Sequence, residues 1–382
     1  MKIEQKQWTK KDGWRNISEQ VFKKVPQLVL IFGGREELEK KTIYDSVKKF
    51  YPKSRLIFCS TAGEILGNSV FDNTVVVTAI FFEKTKVTCA ETAIKKAVDS
   101  EKVGKTLAKK LSPKGLVHML IFSDGLLVNG TGLVKGLTSV LPGNVSVTGG
   151  LVADGAHFKK TNVSLDKRPS PGNIVIVGLY GSSLKVGYGS LGGWDTFGPK
   201  RKITKSSGNI LFELDGKPAL ELYKKYLGEK AKDLPGSGLF FPLKIHHRKG
   251  KNAVDVVRTL LAVDEKKQSM TFAGDMPEGS SAELMKANFE RLIDGAGGAA
   301  SLGLKGLKKK QTELAILISC VGRKLVLGAR TEEEVESVRS KVGKQAVTTG
   351  FYSYGEICPT SQIKKNCELH NQTMTITLLS EM

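Results

Sequence analysis

Three stretches of the chain repeat one plan: an apolar strand, a short polar or glycine turn, a helix, and a second strand running into a small-residue turn that carries a carboxylate. The copies start at Leu28 to Phe32, Val117 to Phe122 and Leu314 to Ser319. Their acidic turns are Cys59 to Glu64, Gly149 to Asp154 and Gly350 to Glu356. Whole supersecondary units repeated at such long spacing predict duplicated parts that close on a shared crevice. The expected fold is α/β, with two lobes of mixed sheets built from repeated strand-helix-strand-hairpin units.

A chain of 382 residues exceeds what one hydrophobic core usually holds, and 40% hydrophobic residues with 41 glycines fit a globular protein rich in turns. The stretch Met1 to Gln27 is lysine-rich and lacks an apolar signal core, and strands such as Val75 to Phe82 are too short to span a bilayer. A cytoplasmic protein without a transmembrane segment is expected. Five scattered cysteines (Cys59, Cys89, Cys320, Cys358, Cys367) make no disulfide framework.

The net charge of +21 raises the question of nucleic acid or an anionic membrane. The excess is mostly lysine spread along the chain, a hydrated point charge, rather than the planar forks of arginine. The densest clusters, Lys308 to Lys310, Lys200 to Lys202 and His246 to Lys249, carry no interleaved aromatics for stacking bases. Solubilising surface is the favoured reading, with lipid or nucleic acid kept as a third one that predicts steep salt dependence.

Along the chain, a helix is predicted from about Arg35 to Phe50, stopped by Tyr51-Pro52. Thr74 to Phe82 with Lys86 to Ala93, and Asn173 to Tyr180 with Leu184 to Gly189, read as hairpins. Further helices are expected at Val103 to Leu111, Gly130 to Val140, Pro218 to Leu227 and Ser281 to Leu292. Val256 to Val263 with Ser269 to Ala273 reads as another hairpin. Gly295-Ala-Gly-Gly-Ala299 offers close packing or a flexible connection, and Thr331 with Glu334 matches a capping box.

Strands joined by a crossover helix are parallel, and ligands of open α/β sheets sit beyond their carboxyl ends. Gly33-Gly34 and Ser123-Asp124-Gly125 then expose backbone N–H groups that favour an anion, while Glu64, Asp154 and Glu356 bring negative charge to the same edge. Both features together suit a zwitterion of amino-acid type. Each acid can equally cap its own turn through nearby N–H groups, so both readings stand.

Other signals are weaker. Gly187 to Gly192 matches G-x-G-x-x-G but runs into Gly193-Trp194 rather than a helix, and Asp99 takes the place of the first glycine of a phosphate loop ending at Gly104-Lys105-Thr106. Cys358, Cys367 and His370 lack a paired C-x-x-C, so no metal and no cofactor are expected. His118, inside an apolar strand, reads as a satisfied core histidine. Cys59 or Ser60, at a sharp strand-to-turn junction, would be the nucleophile of a rival, enzymatic reading, with no identifiable base. Trp194 and Phe197 serve either as an aromatic lid or as core cover.

Seven motifs in order resemble the FIST family: Phe58 to Ile65, Gly193 to Pro199 with Ile203-Thr-Lys205, Glu213 to Leu220, Phe272-Ala-Gly-Asp275, Ile318 to Arg323, Gly350 to Ile357 and Cys367 to Met374. The resemblance covers nearly everything after Gln27. It implies a sensory module that binds small molecules such as amino acids and, with no output domain in this sequence, reports to a separate signalling partner. The expected organisation is an N-terminal extension at 1–26, a FIST N-like lobe at 27–220 and a FIST C-like lobe at 221–382. Ser60, Thr61, Gly63, Glu64, Gly150 and Asp154 are the expected ligand residues of the first lobe. Arg323, Tyr352, Ser353, Glu356, His370 and Asn371 complete the wall from the second.

Overall fold

Runs such as Leu28–Gly33 and Leu314–Cys320 are apolar at nearly every position, so both faces of their sheets have to be covered, and every residue of both is buried. The computed structural model describes all residues except 19–23, 250–251, 308–310 and 361–366, with the backbone alone at 248–249 and 252–254. The lysine cluster at 308–310 therefore lies outside the described residues.

The chain opens with β1 (Lys2–Thr9) and β2 (Gly13–Asn16). Then come β3 (Leu28–Gly33), α1 (Arg35–Glu39), α2 (Lys41–Phe50), β4 (Arg55–Ser60), β5 (Glu64–Leu66), β6 (Ser69–Phe71), β7 (Val75–Phe81) and β8 (Lys86–Ala93). The second copy comprises α3 (Ser100–Ala108), β9 (Leu116–Ser123), α4 (Gly130–Thr138), β10 (Ser146–Leu151), β11 (Val163–Leu165), β12 (Asn173–Tyr180) and β13 (Leu184–Leu191). An insert follows, with β14 (Asp195–Ser207), β15 (Ile210–Leu214), β16 (Lys217–Pro218), α5 (Ala219–Leu227), β17 (Leu243–Lys249), β18 (Asn252–Arg258), β19 (Leu260–Asp264), β20 (Ser269–Phe272) and β21 (Ser281–Lys286). The third copy is α6 (Phe289–Gly306), β22 (Leu314–Cys320), α7 (Val321–Leu327), α8 (Thr331–Val342), β23 (Val347–Ser353), β24 (Gly355–Pro359), β25 (Cys367–His370) and β26 (Met374–Glu381).

The three copies build three sheets of one design. Parallel pairs β3/β4, β9/β10 and β22/β23 form their centres, each flanked by an antiparallel strand, β7, β12 and β26 respectively. The outer strands are exchanged in a cycle. β8 of the first copy joins the second sheet, β13 of the second joins the third, and β1 takes the same place beside β7 in the first. On the other side, the strands after each acidic turn also cross over: β5 pairs with β23, β11 with β4, and β24 with β10.

This exchange corrects three expectations. The stretch at 1–26 is not an appended extension, because β1 supplies the outer strand of the first sheet. β7 and β8 form no hairpin, since both edges of β7 are already taken by β3 and β1; β12 and β13 part for the same reason, β12 lying between β9 and β8. The inner faces of all three sheets meet in one core, where the Phe32, Phe122 and Phe351 rings lie with centroids 4.9–6.3 Å apart. The α/β class stands; three interlocked sheets and an insert replace the two expected lobes.

The insert folds as one sheet in the order β18-β17-β21-β14-β15-β20-β19 around its own apolar core, with α5 packed on it. Leu211 and Leu214 on one side of position 220 share this core with Leu222 and Tyr223 on the other. Residues 281–286 form β21 rather than a helix, and α6 starts at Phe289 behind an Asn288 cap that accepts the Arg291 N–H at 3.3 Å. Of the hairpin expected from Val256 to Ala273, β19 and β20 pair as predicted, but Val256 to Arg258 belong to β18, which pairs with β17.

The small residues of α6 permit close packing. A Cβ on Gly187 would overlap the Gly303 carbonyl, and one on Gly189 the Ala299 carbonyl, so the G-x-G-x-x-G run of β13 lets α6 lie on the backbone. Thr331 caps nothing: it is the first residue of α8, its hydroxyl donates to the Gly328 carbonyl at 2.6 Å, and Glu334 turns inward instead. His118 is buried with its ring nitrogens 2.7 and 2.9 Å from Ser146 Oγ and Thr148 Oγ1, as a satisfied core histidine should be.

Candidate functional site

Each acidic turn meets the loop that follows the first strand of the preceding copy in the cycle. At two of these junctions a basic side chain reaches in. Lys324 Nζ donates to the Ala62 carbonyl at 3.0 Å and to Asp72, and Arg35 Nε lies 3.9 Å from Asp154 Oδ2. At the third, between the loop after β9 and the turn around Tyr354, no basic residue among those described lines the space, and residues of the insert complete its wall.

A cavity of about 220 Å³ results. Gly125, Leu126, Val128 and Asn129 come from the loop after β9; Cys320, Val321 and Gly322 come from the end of β22. Leu239, Thr259, Leu261 and Phe272 to Gly274 come from the insert, and Phe158 and Tyr354 form a stacked wall with ring centroids 4.4 Å apart. Its place, beyond the carboxyl ends of β9 and β22, is where an α/β sheet puts a ligand.

The acids expected in the site are elsewhere engaged. Glu64 is fully buried, accepting from Thr61 Oγ1 at 2.5 Å and from Thr74 N and Oγ1 at 3.0 and 2.8 Å. Glu356 repeats this with Ser353 Oγ at 2.8 Å and Thr373 N and Oγ1 at 3.2 and 2.9 Å. Burial raises the two carboxyls to about 7 and about 8 against the pull of these hydrogen bonds. They brace their turns and open into no common hollow.

Asp154 is not their equivalent. The acid that accepts the N–H before the flanking strand of the second sheet is Asp124, whose carboxylate receives Gly172 N at 2.9 Å and Leu126 and Leu127 N at 2.8 and 2.7 Å. Repeat spacing hid this, because the role passed from the second strand's turn to the first strand's. Asp154 instead receives the Tyr354 hydroxyl and the N–H groups of Lys159 and Lys160 at 3.0 and 2.9 Å. It thereby fixes one wall of the cavity.

The remaining expected residues also frame rather than line it. Ser60 Oγ accepts the Asn162 N–H at 2.8 Å. Gly63 has φ +137°, and a Cβ there would stand 2.6 Å from Lys324 Nζ; one on Gly150 would stand 2.7 Å from Ile318 Cγ2. Arg323 is fully buried, paired with Glu334 at 2.7 and 2.9 Å and donating to the Leu292 carbonyl at 2.7 Å, while the Tyr352 hydroxyl donates to Glu334 at 2.7 Å. His370 Nε2 lies 3.0 Å from the Cys358 carbonyl. Asn371 is buried with both amide atoms unpartnered, close to Gly355 in the turn beside the cavity.

Nucleophilic chemistry finds no support here. Cys59 is buried in the shared core, and burial holds its thiol well above the ordinary range. Cys320 in the cavity wall is raised in the same way, with Glu356 adding to the effect. Trp194 and Phe197 are core cover: Trp194 packs on Leu292 and Val326, and its indole N–H donates to the Gln372 carbonyl at 2.8 Å. No group of three metal-ligating side chains exists among the described residues.

Three of the resembling motifs, Phe272 to Asp275, Ile318 to Arg323 and Gly350 to Ile357, supply wall residues of this one cavity. The class so defined is an α/β protein with a cavity between its three-sheet core and its insert. The FIST N domain matches residues 27–217 and the FIST C domain residues 219–359, and the chain belongs to the FIST family of sensory, signal-transduction domains. It is 25% identical over 386 aligned positions to an uncharacterized protein of Methanocaldococcus jannaschii, covering 94% of this chain and 71% of that one. A cyanuric acid hydrolase from A. caulinodans aligns over 78% of this chain and 99% of its own, at 10% identity and a TM-score of 0.19, and nothing about this chain follows from it. No described helix is long and apolar enough to cross a membrane.

Proposed function

We propose that the protein is a cytoplasmic sensor whose ligand, a metabolite of about amino-acid size, occupies the cavity between the three-sheet core and the insert. The reading rests on one observation: the cavity is closed jointly by turns of the core and by the insert, so an occupant touches both. Polar contacts that cross the same boundary surround it. Asn129 Nδ2 donates to Asp275 at 3.0 Å, Arg258 Nη1 to the Leu369 carbonyl at 3.0 Å and Gln372 Nε2 to the Leu239 carbonyl at 3.2 Å.

A ligand that favours one arrangement of insert and core shifts the population toward it, and that shift is what a separate signalling partner reads. In this account Glu64, Asp154, Glu356 and Arg323 with their partners hold the walls in place, and Asn371 stiffens or relaxes the turn behind Tyr354. A thermal-shift screen of metabolites at millimolar concentration tests it. Stabilisation of the wild type that disappears in Ala273→Phe, which fills the cavity, is expected; stabilisation unaffected by that substitution contradicts the site.

A further inference from the structure

The chemistry of the cavity wall narrows the ligand class, provided the cavity is the sensing site. Among the described residues no charged side chain lines it; its polar side chains are Asn129, Asn209 and Thr259 besides the Tyr354 hydroxyl and the Cys320 thiol. The nearby guanidinium of Arg258 lies behind Gly274, occupied with the carbonyls of Asp275, Val257 and Leu369. A carboxylate or ammonium placed in such a wall loses its hydration without gaining a counter-charge.

Two features of the wall bear on what it can hold. Thr259 is 5% exposed and its hydroxyl has no hydrogen-bond partner, so a valine would serve the insert as well or better. Phe158 is 41% exposed and sits at φ +54°, a left-handed conformation that strains a bulky residue. It is held there by the Tyr354 hydroxyl, which accepts its N–H at 3.1 Å, and the two rings stack at an interplanar angle of 13°. The stacked pair lines the cavity together with the half-exposed Leu126 and Leu261.

We infer that the cavity takes an uncharged, ring-bearing amphipathic molecule, its ring laid along the Phe158–Tyr354 wall and its hydrogen-bonding end on the Thr259 hydroxyl. The volume of about 220 Å³ is below the roughly 300–1,000 Å³ of drug-sized sites, which fits one ring with a short polar arm. An uncharged amide or alcohol on such a ring satisfies Thr259 without leaving a buried charge.

Four probes titrated against the full chain by ligand-observed NMR test this: phenylacetamide, cyclohexylacetamide, phenylacetate and phenylalanine. Phenylacetamide should bind at least roughly tenfold more tightly than either charged probe and several-fold more tightly than its non-aromatic analogue. Thr259→Val should weaken phenylacetamide by roughly fivefold while melting no lower than the wild type, and Phe158→Ala should weaken it by roughly tenfold. Equal or tighter binding of phenylalanine or phenylacetate, lost in Phe158→Ala, overturns the ligand class and leaves the cavity as the sensing site. A Thr259→Val protein that binds unchanged, or that is destabilised on its own, overturns the role of the hydroxyl. Failure of all four probes overturns the inference, whereas the sensing reading then stands or falls with the metabolite screen on Ala273→Phe.

Discussion

Glu64 and Glu356 hold the same place in two different sheets, each buried, each tied to a hydroxyl three residues earlier and to the threonine that opens the next core strand. The chain thus solves one local problem twice: a tight turn leaves an N–H pointing inward, and a carboxylate answers it. Asp124 answers it in the remaining sheet from another strand.

The raised carboxyls set a pH dependence. With folded values of about 7 and about 8 against an ordinary 4.5, the native state holds protons that the unfolded chain gives up. The stability they confer is complete below about pH 4.5 and is lost as pH rises through 7 to 8. In thermal melts from pH 5 to 9 the wild type should lose ground to Glu64→Gln/Glu356→Gln; parallel curves for the two proteins contradict this.

Arg323 and Glu334 form a fully buried pair, and removing one partner strands the other charge. Glu334→Gln should cost about 3–5 kcal/mol in chemical denaturation. A loss below about 1 kcal/mol, the level of a surface pair, would mean that the charges are solvated.

Close helix-on-strand packing predicts that Gly189→Ala is poorly tolerated. The added methyl would overlap the Ala299 carbonyl, so α6 must shift from β13. A destabilisation of about 1–3 kcal/mol is expected, the range for overpacking, against little change for Gly143→Ala, where a Cβ meets open space and the backbone is not left-handed.

β1 pairs along β7, and Gln5 Nε2 donates to Thr78 Oγ1 at 3.2 Å and to the Thr348 carbonyl at 3.1 Å. Deleting residues 1–16 should therefore expose the edge of β7 and yield an aggregating or strongly destabilised protein. A truncated chain that melts like the full one would show the strand to be dispensable.

The repeated strands, their parallel pairing and most helices were legible because apolar periodicity and breakers such as Pro52 act locally. Strand exchange was not. The four residues between β7 and β8 are compatible with a hairpin, and only the occupation of both edges of β7 by other strands excludes it. The candidate cavity lies beyond the ends of β9 and β22, and three of the sequence motifs supply wall residues. Its lining was missed because carboxylates drew attention, whereas the cavity is built from Gly125, Gly274, Gly322 and apolar side chains whose convergence depends on the insert. The unpartnered Thr259 hydroxyl leaves no trace in the sequence at all.

Hydrogen exchange with and without a ligand identified by the metabolite screen tests the central claim most directly. Binding should slow exchange together at 125–129 in the core, at 320–322 beside it, and at 259–261 and 272–274 in the insert. Protection confined to the core or to the insert alone, or centred on Glu64 and Lys324, would contradict a ligand held between the two.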